Sequence, residues 1–345
     1  YETSANSVDI SSDGEYIVAG SGDDRVYLFD KDSSSPYWSY TTNDDVRSVT
    51  ISADGEYIVA GSSDNKVYLF DKDSNTPIWT YTTGGSLRSV DISADGEYIV
   101  AGSEDNKVYL FGKDSNVPLW SYSTDNDVYT VAISADGEYI TVGSEDDKVY
   151  LFDKDSSTPL WSYATGANVV SVAISADGEY IVAGNDGDKV YLFDKDSSTP
   201  LWSYTAENVV RSVSVSADGE YIVVGSDDYK VFLFEKDSST PLWSYTAENR
   251  VWSVDISADG EYFVANSRHD VYNLYLFDKV GYYSRYQTGE ALYSVDISAD
   301  GKYFVAGSNN DDIYLFDIES ETALWSYSIG GNAVTSVAIS ADGEY

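Results

Sequence analysis

Short apolar runs separated by turn signals follow one another along the whole chain. In the copy at 87–124, the alternating segment RSVDIS stops at Ala-Asp-Gly, and EYIVAGS, KVYLF and LWSY follow in turn. Alternation with a period of two predicts β-strands, and no segment has the period or length of a helix. Each unit therefore predicts four short strands, and the second and third are apolar on both faces, as in a sheet buried between two others.

The unit repeats nearly unchanged. Its Asp-Gly turn recurs with glycine at positions 14, 55, 96, 137, 178, 219, 260, 301 and 343, which gives seven spacings of 41 residues and one of 42. Four-stranded units of about 40–45 residues are typical of β-propeller blades. We therefore expect an all-β fold, a single eight-bladed β-propeller of four-stranded antiparallel blades over residues 1–345. A linear solenoid is the structural alternative.

The repeat resembles those of two propeller families. SVDISADGEYIVAGSEDNKVYLF (89–111) corresponds to the first three strands of WD repeats, but Phe70-Asp71 and Phe152-Asp153 occupy the Trp-Asp slot and the Gly-His pair is missing. DSSTPLWSY (196–204) is similar to the Trp-bearing segment of quinoprotein-like (PQQ-like) repeats, which are often eight-bladed. The resemblance implies the fold. The chain is far shorter than quinone-dependent dehydrogenases and lacks the paired cysteines often found near their cofactor, so we expect no cofactor.

A ninth copy of the first strand, AVTSVAIS (333–340), lies within the last segment, 333–345. It can replace the first strand of blade one and close its own ring. Alternatively, it can enter blade one of another molecule, which is strand exchange and leads to dimers or filaments. A third interpretation is that the chain is a piece of a longer array. The sequence leaves the three open.

The eight copies differ mainly in two of their connections. The turns SADGEY and KDSSTP barely vary, and up-and-down geometry puts both on one face of the propeller. The connections on the opposite face vary, which is typical of a binding surface on a repeated scaffold. The sharpest variation lies eight residues before each glycine and includes residue types common in binding hot spots. This column contributes the candidates Arg47, Arg88, Tyr129, Arg211, Trp252 and Tyr293, and neutral drift is the alternative explanation.

Blade seven breaks the symmetry. Its segment 266–288 is two residues longer after the second strand and two shorter after the third, and Ser284 stands in the Trp slot. Arg268, His269 and Tyr272 add candidates for an asymmetric contact patch. The alternative is a decayed blade whose tyrosines fill the missing Trp volume.

Charge and missing residue types exclude several functions. A net charge of −39 argues against nucleic acid and anionic lipid partners, and no apolar run is long enough to insert into a membrane. With no cysteine and one histidine, we expect no catalytic centre and no His/Cys metal site. The turn DKDSN (71–75) begins like a calcium loop, but Thr76 and Thr82 stand where Gly and Glu are needed, so we expect no metal.

These patterns lead to one functional expectation and two alternatives. We expect a non-enzymatic scaffold, extracellular or at the cell surface after removal of a secretion signal, that binds a protein or glycan through its variable face. The first alternative is a structural subunit of a surface filament that self-assembles by strand exchange through 333–340. The remote alternative is a glycan hydrolase in which Arg47, Arg88 and Arg211, with Tyr129 or Tyr293, form a carboxylate-binding centre.

Overall fold

The computed structural model describes residues 5–30, 33, 35–268, 273–281, 283–287, 291–309, 312–320, 322–328, 334, 336–341 and 343. All regular secondary structure in these ranges is β-strand. No helix that could cross a membrane is found among them. The predicted all-β fold, that of a β-propeller with eight four-stranded antiparallel blades, is confirmed. The blades divide between two compact units, residues 5–169 and residues 170–344.

The first unit holds blades one to four. Their strands are β1 Ala5–Ile10, β2 Tyr16–Ser21, β3 Arg25–Asp30, β4 Trp38–Thr41; β5 Val46–Ile51, β6 Tyr57–Ser62, β7 Lys66–Asp71, β8 Trp79–Thr82; β9 Leu87–Ile92, β10 Tyr98–Ser103, β11 Lys107–Gly112, β12 Trp120–Ser123; β13 Val128–Ile133, β14 Tyr139–Ser144, β15 Lys148–Asp153 and β16 Trp161–Ala164.

The second unit holds blades five to eight. Their strands are β17 Val169–Ile174, β18 Tyr180–Asn185, β19 Lys189–Asp194, β20 Trp202–Thr205; β21 Val210–Val215, β22 Tyr221–Ser226, β23 Lys230–Glu235, β24 Trp243–Thr246; β25 Arg250–Ile256, β26 Tyr262–Arg268, β27 Asn273–Asp278, β28 Tyr283–Gln287; β29 Leu292–Ile297, β30 Tyr303–Ser308, β31 Asp312–Asp317 and β32 Trp325–Ser328. Every blade pairs its strands in chain order.

Local hydrogen bonds explain why the turn SADGEY barely varies. In blade two the Ser52 hydroxyl donates to Asp54 Oδ1 (2.6 Å), which also accepts the Glu56 N–H (3.1 Å). The Tyr57 N–H donates to Ser52 Oγ (3.0 Å). Gly55 follows at φ 74°, where a side chain would be strained. The turn chemistry therefore accounts for the repeated Asp of this turn.

Adjacent blades within each unit are clasped at the fourth strand. The Trp79 indole packs against Phe111 (5.2 Å between ring centroids) and its N–H donates to Lys113 O of the next blade (2.8 Å). Trp38, Trp120 and Trp202 make the same bond to the following blade. In blade two, the second and third strands, β6 and β7, are buried on both faces, as the sequence predicts.

First strands pack on the glycine of the preceding blade. A Cβ on Gly61 would lie 2.9 Å from Leu87 and 2.9 Å from Val90, so only glycine lets the two sheets approach. This contact recurs in each unit and gives each blade two distinct faces. We call them the leading face, which covers the next blade, and the trailing face, which covers the previous one.

The predicted ninth strand is not confirmed. The described residues of segment 333–345, which are 334, 336–341 and 343, lie in no strand or sheet. They pack instead on blade eight, where Val334, Val337 and Ile339 are 2%, 8% and 7% exposed. The Ile339 N–H donates to Asp296 Oδ2 (2.8 Å), as the Ile133 N–H does to Asp91 Oδ2 (2.9 Å) in the first unit.

Candidate functional site

The variable connections lie at one end of each blade, which we call the variable end. In the first unit, the structure brings three of the predicted residues together there. Arg47 Nη1 lies 2.7 Å and Arg88 Nε 3.1 Å from the same oxygen of Glu104. The Arg88 guanidinium also lies over the Tyr129 ring, 4.9 Å from its centroid. These side chains come from blades two, three and four, so their column in the sequence forms one connected surface in space.

Acidic side chains neutralise this cluster. Arg88 Nη2 lies 3.4 Å from Asp127 and 3.4 Å from Glu145, in addition to its contact with Glu104. Burial opposes ionisation of Glu104, but the hydrogen bond and charge of Arg47 and the charge of Arg88 outweigh it and lower the pKa of Glu104. The two guanidinium groups are therefore held by acids of the chain itself, which disfavours a centre that binds a ligand carboxylate.

A second cluster lies at the variable end in the second unit. Arg211 donates from Nε (3.0 Å) and Nη2 (2.7 Å) to Asp227 Oδ2, and its guanidinium lies 5.3 Å from the Trp252 ring. Arg250 Nη1 lies 3.9 Å from the same oxygen. Asp227 is 5% exposed, and its Oδ1 is buried without a hydrogen-bond partner among the described residues. Two predicted residues, Arg211 and Trp252, thus share a rigid aromatic and cationic surface.

Tyr229 belongs to this variable end, and the sequence reasoning missed it. It has φ 73°, a left-handed conformation that five other blades fill with Asp or Asn: Asp24, Asn65, Asn106, Asp147 and Asp188. A bulky side chain is strained in that conformation, whereas Asn and Asp tolerate it. Tyr229 is 45% exposed, so burial of its side chain does not account for the strain. The available signal was the loop SDDYK, since the copies in blades one to five and eight have Asn or Asp at the position of Tyr229.

The remaining predicted residues have different outcomes. The Tyr293 hydroxyl donates to Asn309 Oδ1 (3.0 Å) within blade eight. Arg268 ends strand β26, but its side chain is outside the described residues, as are His269 and Tyr272 entirely. The predicted contact patch of blade seven therefore remains a prediction.

The empty Trp slot of blade seven is partly compensated by a tyrosine. Tyr286 is 4% exposed and lies 4.7 Å from Phe316 of the next blade, and its hydroxyl donates to Ser320 O (2.8 Å). Tyr286 lies two residues after Ser284, and its hydroxyl makes the hydrogen bond to the next blade that the indole N–H makes in other blades. A cavity of about 250 Å³ remains beside Ser284, lined also by Leu276, Phe277 and Ile318. For Tyr286, the packing interpretation of blade seven holds.

One group of carboxylates and one turn have features of a metal site. Within the described residues, the carboxylate oxygens of Asp24, Asp44 and Asp45 lie within 4.8 Å of one another, and Asp44 and Asp45 are exposed. In the 71–75 turn, Asp71 Oδ1 accepts the Asp73 N–H (2.8 Å), so this side chain shapes a turn. Apart from their negative charge, neither the Asp24 group nor the 71–75 turn indicates a bound metal ion.

Two carboxylates lie on the innermost strands of the first unit. Asp91 is partly buried and accepts the N–H groups of Ile92 (2.9 Å) and of Ile133 in the next blade (2.9 Å). Burial raises the pKa of Asp91 to about 7. The two hydrogen bonds lower this pKa in part, and the charge of Asp9 raises it a little further. Burial also raises the pKa of Asp9. These acids link neighbouring blades and are not part of the variable end.

One family model matches the chain. It is described as the outer membrane protein assembly factor BamB, a PQQ-like repeat family, and it matches residues 3–135 and 104–327. The two matches together span 3–327. No protein of curated function matches significantly.

Proposed function

Because the chain belongs to the PQQ-like repeat family described as outer membrane protein assembly factor BamB, whose propellers fit a scaffold or binding role, we propose that it is a non-catalytic scaffold that holds a protein partner at the variable ends of its blades. A fold alone does not assign a function. The proposal therefore rests on the side chains of the second unit.

The observation that carries it is the group around Arg211. Trp252 and the guanidinium of Arg211 are fixed by stacking and by the buried Asp227. Tyr229, strained and 45% exposed, departs from the Asp or Asn that five other blades place in the same left-handed conformation. Tyr, Trp and Arg dominate binding hot spots because they offer large, rigid contact areas. A residue kept against its own conformational preference is typical of a functional position.

Charge indicates the kind of partner. The net charge of −39 creates a negative field that attracts cationic surfaces and raises their association rate. We therefore expect a partner protein with a basic surface, whose binding weakens as salt rises. A glycan partner is the competing outcome.

The absence of catalysis is part of the proposal. It is supported by the acid partners that Arg47, Arg88 and Arg211 have within the chain. The remote alternative, a glycan hydrolase, requires turnover of acidic glycans that is lost in Arg88→Ala. Measurable turnover of that kind would replace the scaffold proposal.

The proposed location is the cell envelope. The matching family takes its description from an outer membrane protein assembly factor, which supports envelope association. We further propose that the protein lies outside the cell or at its surface. Protease treatment of intact cells followed by immunodetection tests this, since a protein inside the cell would be protected.

Two variants test the binding site against stability. Tyr229→Asn introduces the residue type that blades two and three have in this conformation, so it should relieve strain while it removes the ring. Trp252→Ala removes the other aromatic surface. The immobilised chain is used to capture proteins from a solubilised envelope fraction, with a glycan array in parallel. Leu201→Ala, at the opposite end of blade five and 50% exposed, is the matched control.

We expect Tyr229→Asn and Trp252→Ala to weaken capture of the same protein about tenfold or more, as for hot-spot residues, and Leu201→Ala to leave it unchanged. Tyr229→Asn should keep or raise the melting temperature, so that weaker capture cannot come from unfolding. Equal capture by all three variants would contradict the proposed site. Binding to the glycan array without capture of a protein would show that the partner is a glycan and not a protein.

A further inference from the structure

The cavity on the leading face of blade seven lies where other blades place an indole. Ser284 pairs with Leu276 in the sheet, as Trp79 pairs with Leu69 in blade two. Leu276 is 6% exposed, whereas Leu69 is fully buried. Tyr286 packs between blades seven and eight, but a cavity of about 250 Å³ remains beside Ser284. The space left by the missing indole is therefore only partly filled by the protein.

The backbone group that accepts the indole N–H elsewhere has a counterpart at this cavity. Trp79 Nε1 donates to the carbonyl of Lys113, 34 residues further along the chain (2.8 Å). Ile318 stands at the same distance from Ser284 in the sequence and lines the cavity. Ser284 has no ring N–H, and no described residue donates to the Ile318 carbonyl. The cavity therefore offers an acceptor to a ring that carries an N–H group.

A positive charge is also missing at this place. Lys113 Nζ lies 5.2 Å from the centroid of the Tyr57 ring, which belongs to the preceding blade. Three further lysines lie 5.2–5.8 Å from the corresponding rings: Lys72 at Tyr16, Lys154 at Tyr98 and Lys236 at Tyr180. In blade eight this lysine is replaced by Ile318, so within the described residues no lysine of the following blade lies over Tyr262. The Tyr262 ring is part of the cavity wall.

The backbone around Ile318 keeps the conformation of the other blades. The Ile318 N–H donates to Lys302 O (3.0 Å), as the Lys113 N–H donates to Glu97 O (3.0 Å). Lys302 stands at the position of Glu97, but its ammonium group binds Asp300 in its own turn (2.6 Å) and does not line the cavity. The exchange of Lys for Ile thus removes a charge from the site while the carbonyl stays in register.

Two carboxylates, those of Asp278 and Glu319, also line the cavity. Glu319 is exposed, so the cavity reaches solvent there. Asp278 Oδ1 accepts the Val280 N–H (3.1 Å), which orients this side chain. A cation next to carboxylates and over an aromatic face is stabilised by both. An apolar cavity of about 150 Å³ holds a benzene ring, so about 250 Å³ leaves room for a larger ring with a short chain.

We propose that this cavity binds a small aromatic ammonium compound. Its ring lies beside Leu276 and Phe277, and its ring N–H donates to the Ile318 carbonyl. Its ammonium group lies against the Tyr262 ring and the two carboxylates. The ligand thus supplies the two groups that the other blades contribute themselves, the indole and the lysine ammonium. The site adjoins the turn before the fourth strand, at the end of the blade opposite the variable end, so it is independent of the proposed partner site.

Titration calorimetry of the 345-residue chain with tryptamine tests the proposal. Indole lacks the charge, indole-3-propionate reverses it, and butylamine lacks the ring. We expect one tryptamine per chain, about tenfold weaker binding of indole because the cation–π contact is lost, and no measurable binding of indole-3-propionate. Equal affinity for tryptamine and indole-3-propionate would overturn the proposal, as would tryptamine that binds no more tightly than butylamine.

Variants separate this cavity from diffuse attraction, because a net charge of −39 attracts any cation. Ser284→Trp should fill the cavity and abolish tryptamine binding while the melting temperature is kept or raised. Ile318→Lys should restore the ammonium over Tyr262 and weaken tryptamine about tenfold without a comparable loss of indole binding. Leu201→Lys, at a position 50% exposed at the same end of blade five, adds the same charge and should bind tryptamine like wild type. Unchanged tryptamine affinity in Ser284→Trp or in Ile318→Lys would overturn the proposal.

Discussion

Asp91 offers a quantitative test of the inner strands. Its pKa is raised from 3.8 to about 7, mainly by burial. A group whose pKa is higher in the folded state contributes stability that is present below the unfolded pKa and is lost as pH rises through the folded pKa. The difference corresponds to at most about 4 kcal/mol lost between pH 4 and pH 7.

Asp91→Asn removes this titration. The amide stays neutral, but its nitrogen cannot accept one of the two N–H bonds from Ile92 and Ile133, at a pH-independent cost of about 1 kcal/mol. The variant should therefore be more stable than wild type at pH 8 by about 3 kcal/mol at most, and slightly less stable near pH 4.

The assay is urea unfolding followed by tryptophan fluorescence at intervals from pH 5 to pH 8. The stability difference between variant and wild type should change by about 3 kcal/mol over this range. Asp196→Asn, which removes a carboxylate whose side chain is 82% exposed, is the control and should follow wild type. If Asp91→Asn shows the same pH dependence as wild type, the carboxyl does not titrate in this range and the reasoning fails.

Three further substitutions test the packing. Tyr68→Phe removes the hydroxyl that donates to Asp64 (2.5 Å) and should cost about 1.5–3 kcal/mol at neutral pH in urea unfolding. Burial and Asp64 raise the pKa of Tyr68, so this stability is present below pH 10 and the gap to the variant should narrow above it. A constant gap would contradict that assignment. Ser284→Trp should fill the cavity of about 250 Å³ and raise the free energy of unfolding by about 1–3 kcal/mol, and a lower melting temperature would show that the space is not available. Trp120→Phe should lower the free energy of unfolding by about 1–3 kcal/mol because the Lys154 carbonyl loses its donor. Calorimetry that shows no change would contradict a stabilising role of this hydrogen bond between blades.

Much of the fold could be predicted because its signals are local. The period of two identified the strands, and SADGEY and KDSSTP located the turns between them. Ser52 and Asp54 form hydrogen bonds within their own turn, so the residue types in this stretch determine the geometry of the turn. Eight near-identical copies then left little choice of architecture.

The candidate site was predicted only in part. The column before each turn glycine contained Arg88 and Tyr129, but the sequence did not show that they stack or that Glu104 holds Arg88. Tyr229 was missed because the loop SDDYK shows a change of residue type but not the left-handed backbone conformation that this residue adopts. Tyr286 was foreseen as a filler of volume, but not as the donor that replaces the indole.

The sequence by itself determined the strands, the turns, the number of blades and the end of each blade that varies, because these depend on residues within one 41-residue unit. Only the tertiary structure decided which charges are neutralised and that Val337 and Ile339 pack on blade eight. Those properties depend on contacts between residues of adjacent blades, such as Arg47 with Glu104, and no local pattern records them. A repeated sequence specifies its unit many times over, whereas the neighbours of each unit are set by the assembly of blades.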